Sequence, residues 1–155
     1  MIKVTRRSFI EGATPNEIFA ALSDPNGLTQ LLPRVRKVEM LNRKETSARL
    51  VTYMAMGGIF GTIRCEGTLT WKEPEEILFV VRVPLPVETR WSLTPGVNGT
   101  EVKAAITLDL APLLGPMAQF VPAQSVGEMM AKEIEVALQG IVARCSRPEQ
   151  AQVAA

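Results

Sequence analysis

The side chains that could carry out acid–base chemistry are few and lie mostly in the middle of the chain. None of the 155 residues is a histidine, which removes the commonest general base and the commonest metal ligand. Catalysis would therefore depend on a positioned pair of other groups or on an oxyanion stabiliser. The candidates for such roles are Tyr53, Arg64, Glu66, Glu88, Arg90, Asp109 and Glu128.

Four of these candidates are better explained as surface charges. Arg64 and Glu66 alternate with apolar residues on one predicted strand, and the pair Glu88 and Arg90 does so on another. Charged side chains at such positions usually form cross-strand ion pairs, each worth less than about 1 kcal/mol. Cys65 is a weak nucleophile candidate, because there is no histidine to activate it. The residues thus favour binding over catalysis, and an enzyme stays the alternative.

A pocket for an apolar molecule is the second kind of site that the residues indicate. The chain has seven methionines, and methionine adapts its shape and is frequent on promiscuous apolar surfaces. Ligand pockets are mostly apolar with a few placed polar groups, for which Tyr53, Cys65 and Thr89 are the nearest candidates. The full set of candidate ligand-binding residues is Leu31, Tyr53, Met54, Met56, Phe60, Cys65, Phe79, Thr89, Trp91, Met117, Phe120, Met130 and Ile134.

A plain, filled core is the alternative explanation for any one of these residues. Aromatic residues make up only 5% of the chain, and several glycines cluster between residues 57 and 67. A strongly curved sheet is hard to fill completely with such small residues. We therefore expect an unfilled cavity.

The first elements are predicted to be a strand and two short helices. Residues 2–11 alternate in polarity, which predicts a strand. A capping box begins at Thr14, with proline at the first helical position and glutamate three residues on. An aspartate–proline pair at Asp24 repeats this combination of N-cap residue and proline, which predicts the start of a second short helix. The second helix should end near Pro33, because a residue that precedes proline is pushed out of the helical region.

Six further strands should follow, joined by turns too short for crossovers, which predicts an antiparallel meander. Their spans are 34–42, 45–56, 59–72, 76–83, 87–95 and 100–110. Alternation assigns as inward-facing Ile63, Cys65, Leu69 and Trp71, then Ile77, Phe79 and Val81, then Val87, Thr89, Trp91 and Leu93, then Val102, Ala104, Ile106 and Leu108. The registers of the first two of these strands, 34–42 and 45–56, stay open.

The end of the chain has the period of a helix. Apolar residues recur at three and four positions over residues 112–147. Pro122 should kink or break this helix, and Ser125 with Glu128 could cap a restart. The long helix should lie across the apolar face of a seven-stranded antiparallel sheet, in an α+β arrangement. Residues 1–147 are expected to form a single domain, and residues 148–155 a frayed tail.

Two stretches resemble the START-like, or SRPBCC, superfamily. Residues 14–41, TPNEIFAALSDPNGLTQLLPRVRKVEML, resemble its helix-pair entry, and residues 90–110, RWSLTPGVNGTEVKAAITLDL, resemble its last two strands. The resemblance implies a Bet v 1-like helix-grip fold, in which a curved sheet grips the long helix and a cavity lies between them. The superfamily includes polyketide cyclases and dehydratases, lipid-transfer START domains and coenzyme Q-binding proteins, and its motifs are structural rather than catalytic.

The composition and charge of the chain limit the kinds of molecule that it is expected to bind. Lys plus Arg is 17 and Asp plus Glu is 16, a net charge of +1, which gives no general attraction to nucleic acid or anionic membrane. The N-terminus has no signal-peptide core, and no apolar run approaches the roughly 20 residues that span a bilayer. We expect a cytoplasmic monomer or homodimer without metal or cofactor. Transient contact with a membrane is compatible with this expectation.

The sequence therefore predicts a protein that binds, and possibly carries, a hydrophobic or amphipathic small molecule between the sheet and the last helix. A lipid, an isoprenoid quinone or a polyketide-like compound would fit. The entrance should lie between the helix pair and the segment 113–120. The alternatives are an enzyme of the cyclase or dehydratase type and a protein-interaction module.

Overall fold

A computed structural model describes residues 2–24, 35–57, 61–83, 86–109, 111–120 and 122–145. The strands are β1 (Ile2–Glu11), β2 (Val35–Leu41), β3 (Ser47–Gly57), β4 (Gly61–Lys72), β5 (Glu76–Val83), β6 (Val87–Gly96) and β7 (Gly99–Leu108). The helices are α1 (Pro15–Ser23), α2 (Ala111–Leu114) and α3 (Ala123–Cys145), with a 3-10 turn, Gly115–Phe120, between the last two.

The strands form one curved antiparallel sheet of seven, in the order β1-β7-β6-β5-β4-β3-β2. Strands β2 to β7 are a meander in which each strand pairs with the next, because their connections are short. The last strand then pairs with the first, so that Ile2 lies opposite Leu108 and Ile10 opposite Thr100. The predicted sheet is confirmed.

Helix α1 begins with the predicted capping box. Thr14 Oγ1 accepts a hydrogen bond from the Glu17 backbone N–H at 3.2 Å and donates one to the Glu17 carboxylate at 3.2 Å. Its buried side chains are Ile18, Phe19 and Leu22, and the helix contacts β5, β6 and α3. The second predicted short helix lies outside the described residues.

The predicted break at Pro122 is confirmed, but the predicted restart at Ser125 is wrong. Helix α3 begins at Ala123, because the Pro122 carbonyl already accepts the first helical hydrogen bond, from Val126 N–H at 3.1 Å. The chain before it folds as α2 and the 3-10 turn. Proline lacks the N–H that would continue a helix through this position.

Helix α3 lies along one edge of the concave face of the sheet. It packs mainly against β1, with smaller contacts to β7 and α1. At Gly127 the helix approaches β1 without requiring a glycine, since a methyl group there would make ordinary contacts, 3.7 Å from Ile2 Cγ2 and 3.9 Å from Val4 Cγ2. Further along the same helix, Ile134 and Ile141 are fully buried in the core. The concave face of the other strands extends beyond this helix.

The inward alternation predicted for β4 to β7 is confirmed, because Leu69, Ile77, Trp91 and Val102 all lie in the core. The structure also settles the two open registers. Leu50 of β3 is in the same core, so the even-numbered residues of β3 face inward and the odd-numbered residues face outward.

Candidate functional site

The concave face carries a set of apolar side chains that are only partly buried, although they face inward. We call this set the inner patch. It consists of Val38, Met40, Met54, Ile63, Phe79, Val87, Thr89 and Ile106. Side chains facing a filled core are fully buried, as Trp91 is nearby at 6% exposure. The partial exposure shows that the described residues do not completely cover the concave face.

Pairing across the sheet brings the inner patch together. Thr89 lies directly opposite Phe79 on one side and Ile106 on the other. At the far end of the sheet, Met54 lies opposite Ile63. Since paired side chains on one face are about 5 Å apart, each row forms a continuous strip across neighbouring strands. The inner patch therefore extends from β2 to β7.

Thr52 and Cys65 form a buried polar pair on this face. They lie directly opposite each other on β3 and β4, and both are nearly fully buried, with Thr52 5% exposed. Thr52 Oγ1 makes no hydrogen bond of full geometry among the described residues, and the Cys65 thiol is left as its weak neighbour. Burial raises the pKa of the Cys65 thiol, and the weak hydrogen-bonding interaction with Thr52 offsets part of that rise. Cys65 is therefore a neutral thiol at neutral pH and not an activated nucleophile.

Gly67 allows the Phe79 ring to lie across β4. A methyl group on Gly67 would meet the carbonyl oxygen of Val80 and lie 2.9 Å from Phe79 Cε1. The ring thus occupies space that a side chain at this position would need. Part of the volume expected to be empty in the glycine-rich hairpin is filled in this way.

The predicted ligand-binding residues differ in where the structure places them. Met54, Phe79 and Thr89 belong to the inner patch, and Cys65 lies beside it on the same face. Trp91, Met130 and Ile134 are buried members of the core. Leu31 and Phe60 lie outside the described residues, as does the side chain of Met56.

Tyr53 was predicted to supply a polar group to the pocket, and this is wrong. It lies on the outer face of β3, one residue from Thr52, opposite Arg64. The Lys37 ammonium lies 5.7 Å from the centre of its ring, an ordinary cation–π contact at a solvent face. The register of β3 could not be read from the sequence, and a shift of one residue reverses every side chain.

Met117 and Phe120 do not line an enclosed space. Their exposed fractions are 66% and 76%, because residues 115–120 form a 3-10 turn and not the buried stripe of a continuous helix. Their predicted role in ligand binding, on the entrance side of the pocket, stays a prediction. They form an apolar surface at the start of α3.

The charged candidates for catalysis lie away from the inner patch. Arg64 pairs with Glu66 at 3.2 Å, and Arg90 contacts Glu88 at 3.5 Å, all on the outer face as predicted. Arg90 also pairs with Glu76. These contacts are surface ion pairs with little net stability.

Two further acidic candidates have local roles at helix starts. Asp109 accepts a hydrogen bond from the Ala111 backbone N–H at 3.0 Å, at the beginning of α2. Glu128 is exposed and accepts one from Gln124 at 3.3 Å on the first turns of α3. Within the described residues, none of the seven acid–base candidates faces the inner patch, and no group of acidic or cysteine side chains could hold a metal ion.

The outer face carries two open grooves. The larger has a volume of about 510 Å³, with Leu78 and Val80 on its floor and Arg49, Glu66 and Arg82 among the residues around them. The smaller, of about 200 Å³, lies around Ala105. Both lie on a charged, solvent-facing surface, whereas the inner patch is apolar.

A curved antiparallel sheet whose concave face holds a long C-terminal helix defines a helix-grip protein. Over residues 1–146 the sequence matches the family described as polyketide cyclase / dehydrase and lipid transport. The chain belongs to this family, within the START-like or SRPBCC superfamily. A comparison with curated protein sequences finds no match.

Solved structures show the same fold at low sequence identity. A START superfamily protein from Mycobacterium smegmatis has a TM-score of 0.71 and 17% identity, over 94% of this chain and 97% of that one. The Zhui aromatase/cyclase from Streptomyces sp. R1128 has a TM-score of 0.69 and 13% identity, over 94% and 93%. A STAR-related lipid transfer protein from Xanthomonas axonopodis has 0.69 and 12%, over 90% and 83%.

None of the described helices is both long enough and apolar enough to cross a membrane. Helix α3 has the necessary length, with 23 residues, but charged residues such as Lys132 and Glu135 are spaced along it.

Proposed function

We propose that the protein binds a small apolar or amphipathic molecule over the inner patch, between the sheet and α3, and carries it without changing it. The observation that supports this most directly is the partial exposure of apolar side chains such as Phe79, Val87 and Ile106 on the concave face. A ligand that covered them would gain roughly 25 cal/mol for each Å² of apolar surface buried. The family description, which includes lipid transport, agrees with this use of the face.

Carriage without reaction is favoured by the chemistry of the same surface. The inner patch contains no acid, base or cation, and the Cys65 thiol beside it is held neutral by burial. The Zhui aromatase/cyclase shares the fold, but at 13% identity this likeness does not extend to its activity. Acid–base catalysis needs a proton donor or acceptor within hydrogen-bond reach of the substrate.

The apolar surface at the start of α3 is the proposed entrance. Met117 and Phe120 are exposed there, and the sequence has no charged residue between Asp109 and Glu128. An uncharged, apolar rim would let a ligand pass from a membrane or a partner surface without crossing a shell of bound water. Transient membrane contact would take place through this surface.

Binding of the neutral fluorescent dye N-phenylnaphthylamine tests the proposal. Thr89→Phe places a ring on the inner patch and should weaken dye binding by at least about tenfold, since it removes the space for a ring. Ser92→Phe adds a ring to the opposite face of the same strand and should leave binding unchanged. Equal binding by both variants and the unmodified protein would contradict the proposed site.

A further inference from the structure

The charges around the inner patch indicate which class of ligand it accepts. We propose, resting on the proposed function, that the ligand is an uncharged molecule with one hydrogen-bonding oxygen, such as a long-chain alcohol or a ketone, and that the site rejects the corresponding carboxylate. Two features of the concave face support this: the absence of an available cation among its described side chains, and the Thr52 hydroxyl.

The sheet offers no positive charge to an anionic head group. Among the described inward-facing residues of the sheet, the cation is Arg6, on β1 opposite Ala104. It lies under the edge of α3 and is paired with Glu135 at 3.3 Å. The other inward positions of β2 to β7 carry apolar side chains, threonines, Cys65 or glycine. A buried carboxylate without a partner cation is strongly disfavoured, and its pKa rises by several units instead.

The Thr52 hydroxyl gives the neutral ligand a polar contact. Its Oγ1 is buried on the concave face and has no hydrogen-bond partner among the described residues. Buried polar groups are nearly always paired, and the thiol opposite, Cys65, is only a weak donor and acceptor. A ligand hydroxyl can donate to this oxygen, and a ligand carbonyl can accept from it.

Competition for bound N-phenylnaphthylamine at pH 8 by dodecanol, dodecanoic acid and dodecane tests this inference. Dodecanol should bind at least about tenfold more tightly than the acid, because the acid must be protonated to enter. Thr52→Val should weaken dodecanol about fivefold to tenfold, the worth of one neutral hydrogen bond. Dodecane should be unaffected, and Thr52→Ser, which keeps the hydroxyl, should restore most of the affinity for dodecanol.

The outcomes separate this inference from the proposed function. Equal or tighter binding of the acid, or unchanged dodecanol affinity in Thr52→Val, would overturn the inference while dye binding still supported an apolar site. Absence of dye binding to the unmodified protein would instead refute the proposed function. Thermal unfolding of each variant shows whether it is folded, and Thr52→Ala is the replacement if the valine variant is not.

Discussion

Thr52 and Thr100 are both buried threonines of the sheet, and the same substitution should affect stability in opposite directions at the two positions. Thr100 is fully buried and its Oγ1 donates a hydrogen bond to the Ala13 carbonyl at 2.8 Å. Thr52 is 5% exposed and its Oγ1 has no hydrogen-bond partner among the described residues. Valine has nearly the shape of threonine, so the packing is retained in both variants.

The expected magnitudes follow from these environments. Thr100→Val leaves the Ala13 carbonyl without its donor and should lower the free energy of unfolding by about 1–3 kcal/mol. For a chain of this length that corresponds to a fall in Tm of roughly 2–4 °C per kcal/mol. Thr52→Val removes a hydroxyl whose burial costs about 1–3 kcal/mol, so the unliganded protein should become more stable by up to that amount.

Urea unfolding of the two variants and of the unmodified protein measures both effects. The slope of free energy against urea should stay constant, which would show that the unfolded states are comparable. Saturating dodecanol should shift the difference in stability by about 1–1.4 kcal/mol in favour of the unmodified protein, because ligand binding adds stability with the logarithm of affinity and the unmodified protein binds dodecanol about fivefold to tenfold more tightly. A loss of stability in unliganded Thr52→Val would refute the reasoning, since it would mean that the hydroxyl is already satisfied.

Three other changes test how the fold positions the site. Gly67→Ala should lower the free energy of unfolding by about 1–3 kcal/mol, because the added methyl group meets the backbone of the neighbouring strand. Gly127→Ala makes only ordinary contacts and should raise the free energy of unfolding by up to about 1 kcal/mol. Equal effects of the two substitutions in urea unfolding would count against these contacts. Thr14→Ala should cost about 1 kcal/mol through the lost N-cap, and an unchanged Tm would argue that the cap is not needed. In a Cys145→Ser background, Cys65 should react with a disulfide reagent at least about tenfold more slowly in the native protein than in urea. The pH midpoint of the rate in the native protein should lie above the ordinary thiol pKa, since burial raises the pKa of Cys65. Equal rates in the native protein and in urea would contradict the burial of Cys65.

Much of the sheet could be predicted from alternation and turns. The inward positions of β4 and β6 follow from period-two patterns in which polar residues occupy the outward positions. In β5, where Leu78 and Val80 are also apolar, the charge of Arg82 identifies the outward face. The hairpins follow from Gly-Gly and Asn-Gly pairs, which favour tight turns. The capping box at Thr14 identified α1 because it satisfies backbone donors that would otherwise be exposed.

The site was harder to predict, for reasons that concern particular residues. In β3 the run Leu50, Val51, Thr52, Tyr53 has no clean alternation, so the sequence could not show that Thr52 faces inward and Tyr53 outward. Val51 is fully buried although it lies on the outer face, where Glu39 and Glu66 are directly opposite it on the neighbouring strands. An apolar residue on the solvent side thus removed the contrast on which the pattern depends.

The start of the last helix was mispredicted for a different reason. Methionine and phenylalanine at helical spacing suggested a buried stripe, but Gly115 adopts a positive φ of 59°, and the chain after it forms a 3-10 turn. Met117 is exposed as a result. Periodicity in a sequence does not show where a turn interrupts the helix.

Contacts between a bound molecule and individual methyl groups test the central claim most directly. In methyl-labelled protein with dodecanol, the account predicts nuclear Overhauser effects from the ligand chain to Val87 and Ile106 on the inner patch. It predicts none to Leu78 and Val80, which form the floor of the larger outer groove. The opposite result, with contacts to Leu78 and Val80 and none to Val87 and Ile106, would contradict the account.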